Sequence, residues 1–192
     1  MKIGLYFGSF NPPHVGHLTV AHYAREVIGL DEVWFIVSPN NPHKDPAVLM
    51  DVVHRVNMTA LALYDYPYFK VDTTELELPT PSYTYQTLLK LRSAHPAYEW
   101  HLIIGEDNLP RFHEWREVEF LKKHLTIWVY PRLGVEVGHI DPSLMFTYFD
   151  APRVEFSSTE VRKRLRNKQP IRFMVGADVE TYLLEKLDWK ES

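Results

Sequence analysis

Apolar residues along this chain fall into two patterns that alternate from one end to the other. Short uninterrupted runs come first: "KIGLYF" (Lys2–Phe7), stopped by Gly8, then "EVWFIVS" (Glu32–Ser38), "EWHLIIG" (Glu99–Gly105) and "LTIWVYPR" (Leu125–Arg132). Runs of this length, bounded by turn residues, read as strands buried on both faces. Between them the spacing becomes helical. Leu18, Ala21, Ala24 or Arg25, and Ile28 share one face of a segment ended by Gly29. A second helix is predicted from about Leu49 to Tyr64, with Val52, Val53, Val56, Ala60 and Leu63 apolar. "YFKVDTTEL" reads as a further short strand running into a loop, and "SYTYQTLLKLRSAH" as a helix with Ser82 as its N-cap. "WREVEFLKKH", "SSTEVRKRL" and "DVETYLLEKL" complete the helices, and "LMFTYFD" is one more short strand. Continuous strands alternating with helices predict an α/β fold, a doubly wound parallel sheet covered on both faces. No repeat, low-complexity stretch or linker interrupts the pattern. One domain, 1–192, with a small C-terminal helical part, is expected.

Ligands of such sheets sit beyond the carboxyl ends of the strands. Three loops at strand ends are polar and constrained: Gly8–His17, Pro39–Lys44 and Gly105–Trp115. In the first, "GSFNPPHVGH", a strand gives way to a helix whose N-terminal amides and dipole favour an anion. Gly8 and Gly16 would let backbone approach a phosphate, Pro12 and Pro13 stiffen the turn, and His14 and His17 can donate hydrogen bonds to phosphate oxygens. Either histidine could instead be a satisfied structural residue. A zinc pair lacks a third nearby ligand and a glutamate between the two. Neither a Gly-x-Gly-x-x-Gly fingerprint nor a P-loop is present. The second cluster is "FSSTEVRKRL". Ser157 and Glu160 have capping-box spacing, and Arg162 lies one turn in. Two helix starts converging on one polyphosphate, without a P-loop lysine, point to attack at an α-phosphate more than to γ-phosphoryl transfer.

Composition narrows the field. Twenty-one basic against 25 acidic residues leave a net charge of −4, which argues against nucleic acid or a membrane surface as partner. The absence of cysteine excludes disulfides, thiolate nucleophiles and thiolate metal sites. The first residues are too short and interrupted for a signal-peptide core, and no run approaches the roughly 18 apolar residues of a spanning helix. A cytoplasmic protein is the default expectation, and self-association into a homo-oligomer is left open.

"GSFNPPHVGHL" with "FSSTEVRKRL" resembles the His-x-Gly-His nucleotidyltransferase superfamily. "PNNPHK", "SYTYQTL", "IIGEDNL", "FHEW" and "VETYLLEKL", in that order, are similar to its bacterial nicotinate-mononucleotide adenylyltransferase family. The resemblance spans nearly the whole chain. It implies a Rossmann-like sheet and adenylyl transfer from ATP to nicotinate mononucleotide, with Mg2+ accompanying ATP. It implies that Gly8, Ser9 and Phe10 line the ATP site, that Gly105 and Asp107 lie by its ribose and adenine, and that Ser157, Ser158 and Arg162 hold its outer phosphates. His14, His17 and Lys44 would act at the reacting phosphates. Thr84 would present its backbone N–H to the nicotinate carboxylate, Trp115 would stack on the pyridine, Phe112 would close that pocket, and Arg132 would lie near the nucleotide. Glu106 departs from the small residue usual in this family, bringing a carboxylate near ATP. Rival expectations are an adenylyltransferase for nicotinamide mononucleotide or another phosphate acceptor, such as the phosphopantetheine enzyme, and an ATP-binding regulator without catalysis.

Overall fold

The computed structural model describes residues 1–39, 49–135 and 137–186. Six strands run parallel in one sheet: β1 (Lys2–Gly8), β2 (Glu32–Val37), β3 (Phe69–Asp72), β4 (Glu99–Gly105), β5 (Thr126–Tyr130) and β6 (Thr147–Tyr148). Their spatial order is β3-β2-β1-β4-β5-β6. The chain therefore winds outward from β1 in one direction, returns, and winds outward from β4 in the other. The switch point lies between β1 and β4, where Tyr6 is in register with Ile103. The helices are α1 (Val15–Ile28), α2 (Val52–Leu63), α3 (Thr84–Ala94), α4 (Val118–His124), α5 (Ser158–Arg166) and α6 (Ala177–Lys186).

Strand alternation divides the core between the two faces. Ile3, Leu5, Trp34, Ile36, Leu102 and Ile127 point to one face, under Leu88 and Leu91 of α3, Leu121 of α4 and Phe112. Tyr6, Val33, Phe35 and Ile103 point to the other, under Ala21 and Ala24 of α1 and Leu63 of α2. A third apolar cluster contains no strand residue. It joins Met58 of α2 to Val161 and Leu165 of α5 and to Val179 and Leu183 of α6.

Element ends follow local chemistry. Gly29 adopts φ +73° and closes α1 by donating to Arg25 O at 3.1 Å, a left-handed cap that suits glycine. Asp51 caps α2 by accepting from Val53 N at 2.8 Å, so that helix starts after Leu49. Its buried face also differs from the expected one. Val53 and Ala60 are exposed, whereas Arg55, Met58 and Thr59 are buried. The reason is that α2 lies between the sheet and the C-terminal helices and buries two flanks rather than one stripe. Tyr83, not Ser82, occupies the cap position of α3, its N–H bonded to Gln86 Oε1 at 3.1 Å. Gly105–Trp115, expected as a loop, contains a 3-10 segment, Glu106–Glu114, tightened around Pro110.

Candidate active site

A cleft of about 880 Å³ opens at the carboxyl edge of the sheet. Tyr6, His14, His17, Tyr130, Arg132, Ser157, Ser158 and Arg162 are among the residues that line it. Two helix starts meet there, as the sequence predicts. Ser157 caps α5 by accepting from Glu160 N at 3.1 Å. Ser158 Oγ donates to Pro12 O at 2.8 Å, and Arg162 Nη1 donates to Asn11 O at 2.6 Å. The second helix is thus bonded directly to the loop that starts the first. Arg162 Nη2 reaches Thr159 Oγ1 at 3.2 Å, while its Nε is buried without a hydrogen-bond partner among the described residues.

The two histidines stack with ring centroids 3.8 Å apart. His17 Nδ1 accepts from His14 N at 3.1 Å, which places the proton of the neutral ring on Nε2. His17 is therefore a hydrogen-bond donor at that atom. His14 is 8% exposed, and its Nδ1 is buried without a partner among the described residues. Burial, with the positive charge of Arg132 second, pulls its pKa down to about 4. It is a neutral ring near pH 7 in the free protein, not the cation that a phosphate site invites.

The glycines serve packing as much as ligand approach. A Cβ on Gly8 would lie 2.8 Å from the Phe10 ring, and one on Gly16 would lie 3.0 Å from the His14 ring. Phe10, at φ +42°, turns inward and is 1% exposed among Tyr6, Phe35 and His17. Its ring is core, which leaves its backbone as the part available to a ligand. Ser9 is likewise buried.

On the far side of the switch point, Arg132 Nη1 pairs with Asp107 Oδ2 at 3.0 Å, and Asn108 Nδ2 donates to Gly105 O at 3.1 Å. Glu106, the departure noted in the sequence, accepts from the backbone N–H of Arg132 and so has a partner of its own. The Tyr6 and Tyr130 hydroxyls meet at 3.4 Å across the end of β4.

Thr84, Phe112 and Trp115 do not line this cleft. They belong to the opposite face of the sheet. Thr84 is the first residue of α3, and Trp115 ends the 3-10 segment, half-buried. Phe112 is fully buried under Trp115, ring centroids 4.8 Å apart, and supports that ring rather than facing a ligand. Arg116 lies over the Tyr83 ring at 5.0 Å and ties the two segments together. Lys44 and most of the loop Pro39–Lys44 lie outside the described residues.

Sequence reasoning missed Arg55. It is 1% exposed and donates to four backbone carbonyls: Met50 O at 3.0 Å, Ser9 O at 2.8 Å, Ser38 O at 2.7 Å and Pro39 O at 2.9 Å. The only hint was an arginine inside a helix whose apolar spacing was imperfect.

A cytidylyltransferase-like family model matches residues 5–164. A protein of Flavobacterium psychrophilum named "Probable nicotinate-nucleotide adenylyltransferase" is 42% identical over 95% of this chain and 96% of its own length. One of the same name from Bacteroides fragilis is 41% identical over 97% of this chain and 93% of its own length. Among solved structures, the Plasmodium falciparum nicotinic acid mononucleotide adenylyltransferase complexed with NaAD superposes with a TM-score of 0.76 at 22% identity, covering 96% of this chain and 95% of that one.

Proposed function

The chain belongs to the cytidylyltransferase-like family, among the nicotinate-nucleotide adenylyltransferases, and from that premise we propose how its residues divide the reaction. The enzyme transfers the adenylyl group of ATP to nicotinate mononucleotide, giving deamido-NAD and pyrophosphate in NAD biosynthesis. The acceptor phosphate oxygen forms a bond to the α-phosphorus as the bond to the β-phosphate oxygen breaks. That nucleophile is already anionic near neutral pH, so positioning and charge stabilisation carry the catalysis.

The observation that supports this division most is the convergence of α1 and α5, bonded through Asn11 and Pro12, on one cleft. Ser157, Ser158 and Arg162 hold the β- and γ-phosphates from α5. Gly8, Ser9 and Phe10 contribute backbone from the first loop. His17 Nε2–H is directed at the α-phosphate oxygens, where charge grows in the transition state. His14 supports that ring by stacking and becomes a better donor when polyphosphate charge raises its proton affinity. Gly105, Asp107 and Arg132 take the ribose and adenine side. Lys44 acts on the reacting phosphates from the second loop. Across the sheet edge, the start of α3 at Thr84 receives the nicotinate carboxylate, and Trp115, backed by Phe112, stacks on the pyridine.

The enzyme's chemistry calls for a divalent metal, and we assign magnesium. Among the described residues no group of three or more His, Cys, Asp or Glu could hold a metal ion. Magnesium dehydrates reluctantly and binds through substrate phosphates, so it would be carried largely on the nucleotide's own oxygens and water. When bound, it supplies neutralisation of the phosphate charge. No helix among the described residues is long and apolar enough to cross a membrane, and a cytoplasmic location fits a chain without cysteine.

Pyrophosphate release tests the reading, with ATP and magnesium against nicotinate mononucleotide, nicotinamide mononucleotide and phosphopantetheine in parallel. Release with the first alone is expected. A pocket that matches a carboxylate with backbone donors rejects the amide by about a hundredfold or more. Equal efficiency with both mononucleotides would remove the role given to Thr84. Tight ATP binding without release for any acceptor would make the protein a regulator.

A further inference from the structure

Two charged side chains that the proposed reaction leaves unused are buried at the carboxyl edge of the sheet. Arg55 of α2 is 1% exposed, and Glu75, in the 3-10 turn Thr74–Glu77, is 3% exposed. They meet at one residue. Arg55 Nη1 donates to Ser38 O at 2.7 Å, and the Glu75 carboxylate lies beside the side chain of the same Ser38, the residue that follows β2, whose hydroxyl favours its charged form. From Ser38 the connections run both ways. On one side, Arg55 holds Ser9 O of the first loop and Met50 O, Met50 N donates to Asn11 Oδ1 at 3.0 Å, and Asn11 O receives Arg162 Nη1. On the other, Glu75 accepts from Thr87 Oγ1 at 3.2 Å, one turn into the helix that begins at Thr84. Together these bonds, joined through the Ser38–Glu75 contact, form a polar spine from Arg162 to α3.

Its position is what gives it a role. The phosphate cleft and the Thr84–Trp115 side pack into different apolar clusters on opposite faces of the sheet. Apolar packing fixes each half against the sheet but does not set one half's loops against the other's. A buried guanidinium and a buried carboxylate are costly unless their hydrogen bonds are met. Those of Arg55 are met by carbonyls of the first loop and of the segments flanking α2, and those of Glu75 by Thr87 of α3, with Ser38 between them. Arg55 uses its planar fork on four neutral carbonyls, which an apolar residue of the same volume could not bind.

We propose that Arg55 and Glu75 are positioning residues that set the separation between the acceptor phosphate and the α-phosphorus of ATP. The proposal rests on the division of the site given above. In-line displacement needs the reacting atoms about 3–3.5 Å apart, and an error of about 1 Å costs on the order of a hundredfold in rate. Neither residue touches substrate.

The test uses R55K, R55M and E75Q with the R55K/E75Q double variant, each checked for folding by circular dichroism and thermal melting. Turnover and both KM values are then measured well below the melting transition. R55K keeps the charge and E75Q the shape, so both serve if R55M fails to fold. The expected result is a fall in kcat of about tenfold or more, with both KM values within about threefold of wild type. The double variant should lose less than the product of the single losses, because both act through Ser38. Lowered melting temperature with kcat within about twofold of wild type in R55K and E75Q would show a structural brace only and overturn the proposal. Multiplicative losses would overturn the coupling. Failure of the underlying division appears separately, in the wild type, as turnover with an acceptor other than nicotinate mononucleotide. The same variants are then read on that acceptor.

Discussion

Replacing His14 by asparagine should remove a specific part of the enzyme's acid sensitivity. Asparagine is a strong N-cap residue, so α1 keeps a suitable start while the titrating ring is lost. The ring's pKa lies at about 4 in the fold against a reference of 6.5, chiefly because burial disfavours the cation and secondarily because Arg132 repels it. Between those two values the unfolded chain binds a proton that the folded chain does not. Acid therefore favours unfolding, and stability is lost as pH falls through 6.5 towards 4. At about 1.4 kcal/mol per unit, the wild type should lose about 2 kcal/mol by pH 5 and about 3 kcal/mol by pH 4, relative to a protein without this group. Urea unfolding of both proteins at several pH values measures the term. Carboxylates common to both cancel in the difference. A wild type minus variant difference that stays flat within about 0.5 kcal/mol from pH 7 to pH 4 would show that His14 is not held neutral by burial.

Other outcomes follow from the same geometry. His17→Ala should lower turnover by about a hundredfold while leaving the KM for nicotinate mononucleotide nearly unchanged, as for a donor acting in the transition state; turnover within about threefold of wild type would refute its role. Gly105→Ala would force a Cβ into Asp107 Oδ1 and to within 2.8 Å of Arg132 Cδ. The Asp107–Arg132 pair should open and the KM for ATP rise by about tenfold, and an unchanged KM would separate that pair from the nucleotide. Chelating divalent ions should stop turnover without moving the melting temperature of the free protein. A fall of several degrees would reveal a metal held by the protein itself.

Much of the fold could be read from the chain because parallel strands covered on both faces are apolar throughout. Lys2–Phe7 and Glu99–Gly105 lie where their runs place them, whereas β5 ends at Tyr130, where Pro131 has no N–H to continue the ladder and the Arg132 N–H is taken by Glu106. The Ser157 cap was legible because capping is local. What the sequence hid was non-local. Periodicity cannot say that β4 lies beside β1, nor that α2 would be covered on two flanks and so expose Val53. Phe10 reads as a residue of a polar loop, and only the positive φ of its backbone turns it into the core. Sequence reasoning misses Arg55 because its acceptors are carbonyls of loops that assemble only in the folded chain.

The cluster formed by Met58 with the residues of α5 and α6 has a consequence for local stability. One wall of the cleft stands on a body that contains no strand and is joined to the rest through one side of α2 and a few hydrogen bonds to Asn11, Pro12 and Val15. Such a body can open as a cooperative unit without the sheet unfolding. Each opening would withdraw Ser157, Ser158 and Arg162 together, so if these residues hold the phosphates as proposed, ATP affinity carries the free energy of keeping this unit closed. By mass action, bound nucleotide then protects amides in α6, a helix that makes no contact with the cleft. The exchange of α6 amides with solvent should therefore slow when nucleotide binds, and an unchanged rate would show that the unit does not open on its own.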